Sequence, residues 1–331
     1  MDYVTKELHL PHITLTNRLV LPPMASGKAS AEGFVTPNLL AHYAEKSHGG
    51  YLSLVIIEHS FVSKEGRASA GQLSIANDQT IDGLKQLTAT VHQAGAKVAA
   101  QLNHAGGAAQ KAITGLPTVA PSLVSLGKRP PADCALTQDD IARIVQSFAD
   151  AAKRAVCAGF DAVEIHSAHG YLLNQFYSPL TNLRTDEYGG GILNRIRLHL
   201  EIIDAVRAVV GSKYPLLLRL GACDYKEGGS ALPDALAAAK AFEQAGIDIL
   251  DISGGLSGYI IPGRENIQGY FAAETQAIKQ EISLPVILTG GVTKLSAAET
   301  LIASGKADLI GIGRAMLHDS NWAETAFAAL S

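Results

Sequence analysis

Short apolar, β-branched runs recur along the chain, separated by longer stretches whose apolar positions repeat at helical spacing. Eight runs read as strands: Arg18–Pro22, Leu54–Glu58, Lys97–Leu102, Ala162–His166, Pro215–Leu220, Ile247–Ile252, Pro285–Leu288 and Asp308–Ile312. Amphipathic helices are predicted over Pro37–Ser47, Thr80–Gln93, Gln138–Ala158, Asn194–Val210, Pro233–Ala245, Ala272–Glu281 and Ser296–Ala303. Thr137 to Asp140 can cap the third helix, and Gly159 can close it in a left-handed conformation. Strands alternating with helices need parallel crossovers. Eight such units predict an α/β fold of the closed (β/α)8 TIM barrel type. An open doubly wound sheet is the alternative, weakened because no GxGxxG follows the first strand.

Leu8–Leu10 and Ile13–Leu15 read as an N-terminal hairpin that plugs the barrel's bottom. After the third strand, Asn103–Asp133 is rich in Gly, Pro and Ser and lacks helical periodicity, so a long lid loop is expected there. Ser253–Gly269 is similar. No break in composition divides the chain, so one domain over residues 1–331 is expected.

Composition changes the picture little. The 331 residues are 47% hydrophobic and 18% charged, with a net charge of −4. That balance and the lack of a basic run argue against nucleic acid or an anionic membrane as partner. There is no signal layout and no apolar span of membrane length. Cys134, Cys157 and Cys223 are odd in number and far apart, which argues against a disulfide framework or a CxxC metal site and suggests the cytoplasm. Oligomeric state is left open, a homo-oligomer included.

Barrel chemistry gathers where the strands end at their C-terminal side. Following the strands in order, those positions hold Pro22, Pro23, Met24 and Ala25; Glu58 and His59; Gln101, Asn103 and His104; His166, His169 and Tyr171; and Arg219. The last three strands run into Ser253-Gly254-Gly255, Gly290-Gly291 and Gly313-Arg314. A glycine pair and a Gly-Arg on the last two strands suit a phosphate cradle, although tight turns alone would also use glycine. Arg219 ends an apolar strand and needs either an anionic ligand or a structural carboxylate. With Gln101 and the cradle, it suggests a flat, polar-edged heterocycle carrying a phosphate.

His166 and His169 could ligate a metal, with His104, His59 or Glu58 as third ligand, in a barrel hydrolase. They could instead donate to one oxygen that gains negative charge, with Tyr171 delivering a proton beside it. A non-catalytic phosphate-ligand binder is a third reading.

The run EIHSAHGYLLNQFYSPLTNLRTDEYGG, followed by NRIRLHLEIIDAVR, resembles the central signature of the old yellow enzyme family of FMN-dependent ene-reductases. LTNRLVLPPM at Leu15–Met24, QLNHAG at Gln101–Gly106, LLLRL at Leu216–Leu220, ILTGGVT and DLIGIGRAMLHD extend the likeness over nearly the whole chain. The resemblance implies FMN as cofactor and NAD(P)H as reductant, in a ping-pong cycle on small unsaturated carbonyl substrates. It implies that Gly290, Gly291, Gly313 and Arg314 hold the FMN phosphate, and that Gln101 and Arg219 edge the ring. Pro22, Pro23, Met24 and Ala25 would run along the flavin, with His59 near its edge. His166 and His169 would hold the substrate carbonyl, and Tyr171 would protonate Cα. Two residues depart from the family pattern: Ala25 stands where cysteine or threonine is common, and His59 where a small residue is usual. Without a cysteine cluster, and with the chain ending at Ser331, FMN alone is expected.

Overall fold

The computed structural model describes residues 1–125 and 129–329. Eight parallel strands close into a barrel: β1 Leu19–Leu21, β2 Leu54–Ile56, β3 Lys97–Asn103, β4 Ala162–Ser167, β5 Leu216–Gly221, β6 Ile249–Ser253, β7 Val286–Leu288 and β8 Leu309–Gly311. Each pairs with its sequence neighbour, and β8 pairs with β1, so no edge remains in the ring. Helices α1 Pro37–Ser47, α2 Ile81–Gln93, α3 Gln138–Cys157, α4 Arg197–Val210, α5 Leu232–Gln244, α6 Ala272–Lys279 and α7 Leu295–Ala303 follow β1 to β7 in turn. The last unit ends in short helices Arg314–His318 and Trp322–Ala328.

Local chemistry explains the clearest element. In α3 the Thr137 hydroxyl accepts from the Asp140 N–H while the Asp140 carboxylate accepts from the Thr137 N–H. Ile141, Ile144, Phe148, Ala151, Ala152 and Ala155 form its buried face, and Gly159 follows at φ +83°. The helix expected over Asn194–Val210 is split, with Ile196 between Ile192–Arg195 and α4.

Inside the barrel, Val20, Leu54, Ile56, Ala99, Ala162, Leu217, Ile249, Ile287 and Leu309 form an apolar layer, with Ile13 and Leu15 of the hairpin packed beneath. The expected plug is present: Leu8–His9 pairs antiparallel with Thr14–Leu15. Two residues further along β3 to β6, the interior turns polar at Gln101, Glu164, Arg219 and Asp251, all buried.

The segment after β3 is the long loop expected, and it carries short elements of its own. It holds a short helix, Lys111–Thr114, and a two-residue strand, Val119–Ala120, paired with Cys134–Ala135. Residues 126–128 of the expected lid lie outside the described ones. Its Ala105 and Ala108 cluster with Ala68, with Tyr171 packed on them. Ser60–Phe61, unpredicted, adds a short strand beside β3.

Candidate active site

The residues to which the resemblance gives a site role line one cavity of about 450 Å³ at the C-terminal mouth of the barrel, whereas Glu58 and His104, the other candidate metal ligands, do not line it. Its wall carries an arc of rings. His59 and Tyr171 are 5.2 Å apart between centroids, Tyr171 and His166 5.3 Å, and His166 and His169 5.1 Å.

The turn that bears two of these rings is clamped by its own sequence. His169 adopts φ +60° and Gly170 φ +73°, a reversal that strand β4 could not make with extended residues. Asn174 accepts from the Gly170 N–H at 2.7 Å, and the Gln175 amide donates to the carbonyls of Gly170 and Ala105 at 2.8 and 3.0 Å. Tyr171 precedes the short helix Leu172–Tyr177.

Each imidazole stays neutral. Burial first, and then neighbouring His169, Arg219 and His59, hold His166 well below the usual histidine range. His169 is lowered by burial and by Arg219 and His59. Its Nε2 sits 2.7 Å from Ser253 Oγ, and if that hydroxyl donates, the ring proton lies on Nδ1. His166 Nδ1 is buried with no hydrogen-bond partner. Burial raises the Tyr171 phenol, which therefore keeps its proton.

The floor resolves the question about Arg219. It is in register with His166 on β4 and Asp251 on β6, and its Nε lies 3.2 Å from Asp251 Oδ2. The structural carboxylate is therefore present. The terminal guanidinium nitrogens make no hydrogen bond to a described residue, and Arg219 lines the cavity. Gln101 donates to Glu164 Oε2 at 2.6 Å, which leaves its own amide oxygen without a protein partner among the described residues. Burial drives the carboxyls of Glu164 and Asp251 upward, against the pull of Arg219. Sequence inspection overlooked both acids. The signal was there, since each interrupts an apolar strand at an inward position, two residues beyond Ala162 and Ile249.

At the far end, a Cβ on Gly290 would come within 2.7 Å of Phe271, and one on Gly291, at φ +70°, within 2.5 Å of Tyr270. Packing by itself thus requires glycine at both. The observation that points to an anion is Arg314, which has no carboxylate partner among the described residues and reaches only the Tyr270 hydroxyl at 3.3 Å. Tyr270, Tyr259, Thr289, Thr293 and Leu317 also line the cavity and were not anticipated. Among the described residues, no group of three or more His, Cys, Asp and Glu is arranged to hold a metal ion.

A floor with spare guanidinium donors, an amide edge and a distant arginine beside open backbone fits FMN, whose ring carries acceptors and whose tail carries a phosphate. Fold and site together define an FMN-dependent barrel oxidoreductase that uses NAD(P)H. The chain belongs to the NADH:flavin oxidoreductase / NADH oxidase family, whose sequence model matches residues 6–330. It is 38% identical to the NADPH dehydrogenase of Halalkalibacterium halodurans over 94% of this chain and 89% of that one. It is also 38% identical to the NADH oxidase of Thermoanaerobacter brockii over 97% of this chain, but spans only 50% of that protein. Among solved structures, the old yellow enzyme homologue from Zymomonas mobilis superposes with a TM-score of 0.86 at 28% identity, covering 100% of this chain and 94% of that one. Among the described residues no helix is long and apolar enough to cross a membrane.

Proposed function

We propose that this protein reduces the activated C=C bond of small α,β-unsaturated carbonyl compounds at the expense of NAD(P)H, in a ping-pong cycle. The observation that carries this reading is the arc of two neutral imidazoles and a protonated phenol over a floor of Arg219 and Gln101. Gln101 and Arg219 would edge the FMN ring, Pro22 to Ala25 would run along it, and Gly290, Gly291, Gly313 and Arg314 would hold its phosphate. When bound, FMN supplies a two-electron carrier that takes hydride from the nicotinamide and passes it to Cβ of the substrate.

The protein's own residues do the rest. His166 and His169 donate to the carbonyl oxygen, and those bonds strengthen as negative charge builds on it. Being neutral, they stabilise that charge without protonating the oxygen. Tyr171 gives its proton to Cα, completing addition of two hydrogens across the double bond. Reductant and substrate share one cavity, which supports alternation rather than simultaneous binding. The three cysteines are free, which suits a reducing cytoplasm.

The test begins with colour. The purified protein is expected to be yellow, to bind FMN, and to give a long-wavelength band with phenols. His166→Ala combined with His169→Ala is expected to abolish that band. A colourless protein that gains activity with zinc but not with FMN would overturn the reading, and full phenol affinity in the double variant would remove the histidines from it.

A further inference from the structure

His59 is 9% exposed and lines the same cavity, yet its surroundings are unlike those of the other two imidazoles. The Gln72 amide nitrogen lies 2.7 Å from His59 Nδ1 and also donates to the His59 carbonyl at 3.1 Å. The orientation of that amide is settled by its other end, where Gln72 Oε1 accepts from the Ala68 N–H at 2.7 Å. The Asn103 amide nitrogen lies 3.2 Å from the same Nδ1. A ring nitrogen facing amide donors must accept, so the ring proton sits on Nε2. Nε2 has no hydrogen-bond partner among the described residues. Burial and Arg219 lower the ring to about 4, so this donor stays neutral through the working range.

The ring's aromatic neighbours are Tyr171 at 5.2 Å and His166 at 6.2 Å. His59 therefore ends an arc that begins at His169 and passes through His166 and Tyr171. A ligand whose oxygen sits at His166 and His169 extends past Tyr171 towards His59.

We infer that His59 Nε2–H is a third substrate-binding donor, which favours acceptors carrying an oxygen at both ends of the reducible C=C, such as enediones, quinones and maleimides. This rests on the ene-reductase reading, in which His166 and His169 take the first oxygen. His59 takes the second.

The test compares holoenzyme forms on N-methylmaleimide, with two carbonyls, and 2-cyclohexenone, with one. His59→Ala is expected to lower kcat/KM for the maleimide about five- to tenfold more than for the enone, the factor of one neutral hydrogen bond. His59→Gln, which keeps an N–H donor, is expected to recover most of that difference. At equilibrium, 4-hydroxybenzaldehyde should lose more affinity than phenol in His59→Ala, read from the visible spectrum. Nitrogen-15 spectra of the wild-type imidazoles should show one ring held as the Nε2–H form and lost in His59→Ala. Equal losses for mono- and dicarbonyl ligands, or an Nδ1–H ring at His59, would overturn the inference. A wild-type enzyme that reduces neither compound would sink the ene-reductase reading instead, with the two phenols still deciding His59.

Discussion

Arg219 Nε lies 3.2 Å from Asp251 Oδ2, the two residues paired in register on adjacent barrel strands and both buried. One guanidinium faces two buried carboxyls, because Glu164 occupies the same polar layer. Burial, more than repulsion by Asp251, holds Glu164 up, and Arg219 pulls both acids down, so whichever acid remains keeps the guanidinium as its charge partner. Asp251→Asn and Glu164→Gln are therefore each expected to cost little alone. The double variant leaves Arg219 uncompensated and is expected to lose about 3–5 kcal/mol, as for other buried charges stripped of a partner. Urea unfolding of the four proteins measures this, and strict additivity would contradict a shared charge.

Tyr171→Phe separates the two halves of the proposed cycle. Reduction by NAD(P)H needs no proton at Cα, so its rate is expected to hold. Reoxidation by a poorly activated enone is expected to fall by about 10²–10⁴-fold, the usual contribution of a positioned acid. Stopped-flow traces of each half-reaction decide it; equal losses in both would remove Tyr171 from proton transfer.

Glu58 gives a stability signature. Its buried carboxyl accepts a hydrogen bond from Ser26, yet burial outweighs that bond and pushes the group up to about 7. The folded state thus holds a proton that the unfolded chain releases near its ordinary value of about 4.3. By linkage, this group's stabilising contribution is complete below the unfolded value and is lost as pH rises through about 7. Glu58→Gln, permanently uncharged, is expected to flatten the decline in Tm between pH 5 and 8 when both proteins are saturated with FMN. Parallel Tm curves would show that Glu58 does not titrate in this window.

Ala25 follows β1 at the cavity wall with no side-chain donor, and the Ser26 hydroxyl beside it is committed to Glu58. Reduced FMN would gain no side-chain hydrogen bond from residue 25. Ala25→Thr is expected to raise the FMN midpoint potential, to speed reduction by NAD(P)H and to slow substrate reduction. Dye-equilibration titration reads the potential. A value unchanged or lower in the variant would mean that residue 25 does not face a flavin carbonyl.

The barrel was legible because its causes are local and periodic. Apolar runs of strand length repeat eight times with helical spacing between them, caps such as Thr137 mark helix starts, and parallel crossovers leave few topologies. The strand-end rule then led from sequence to the residues that meet at one cavity, from Pro22 to Arg314. Other features were decided only by packing. The partner of Arg219 could not be read from the chain, because Asp251 comes beside it through the pairing of two strands 32 residues apart in sequence. The same holds for His59. Its tautomer is set by Gln72 and Asn103, which reach it from separate segments, and its place in the arc depends on the turn at His169 and Gly170. Periodicity records which face of an element a residue occupies; the direction in which a buried donor points depends on distant groups that tertiary structure brings within hydrogen-bonding distance.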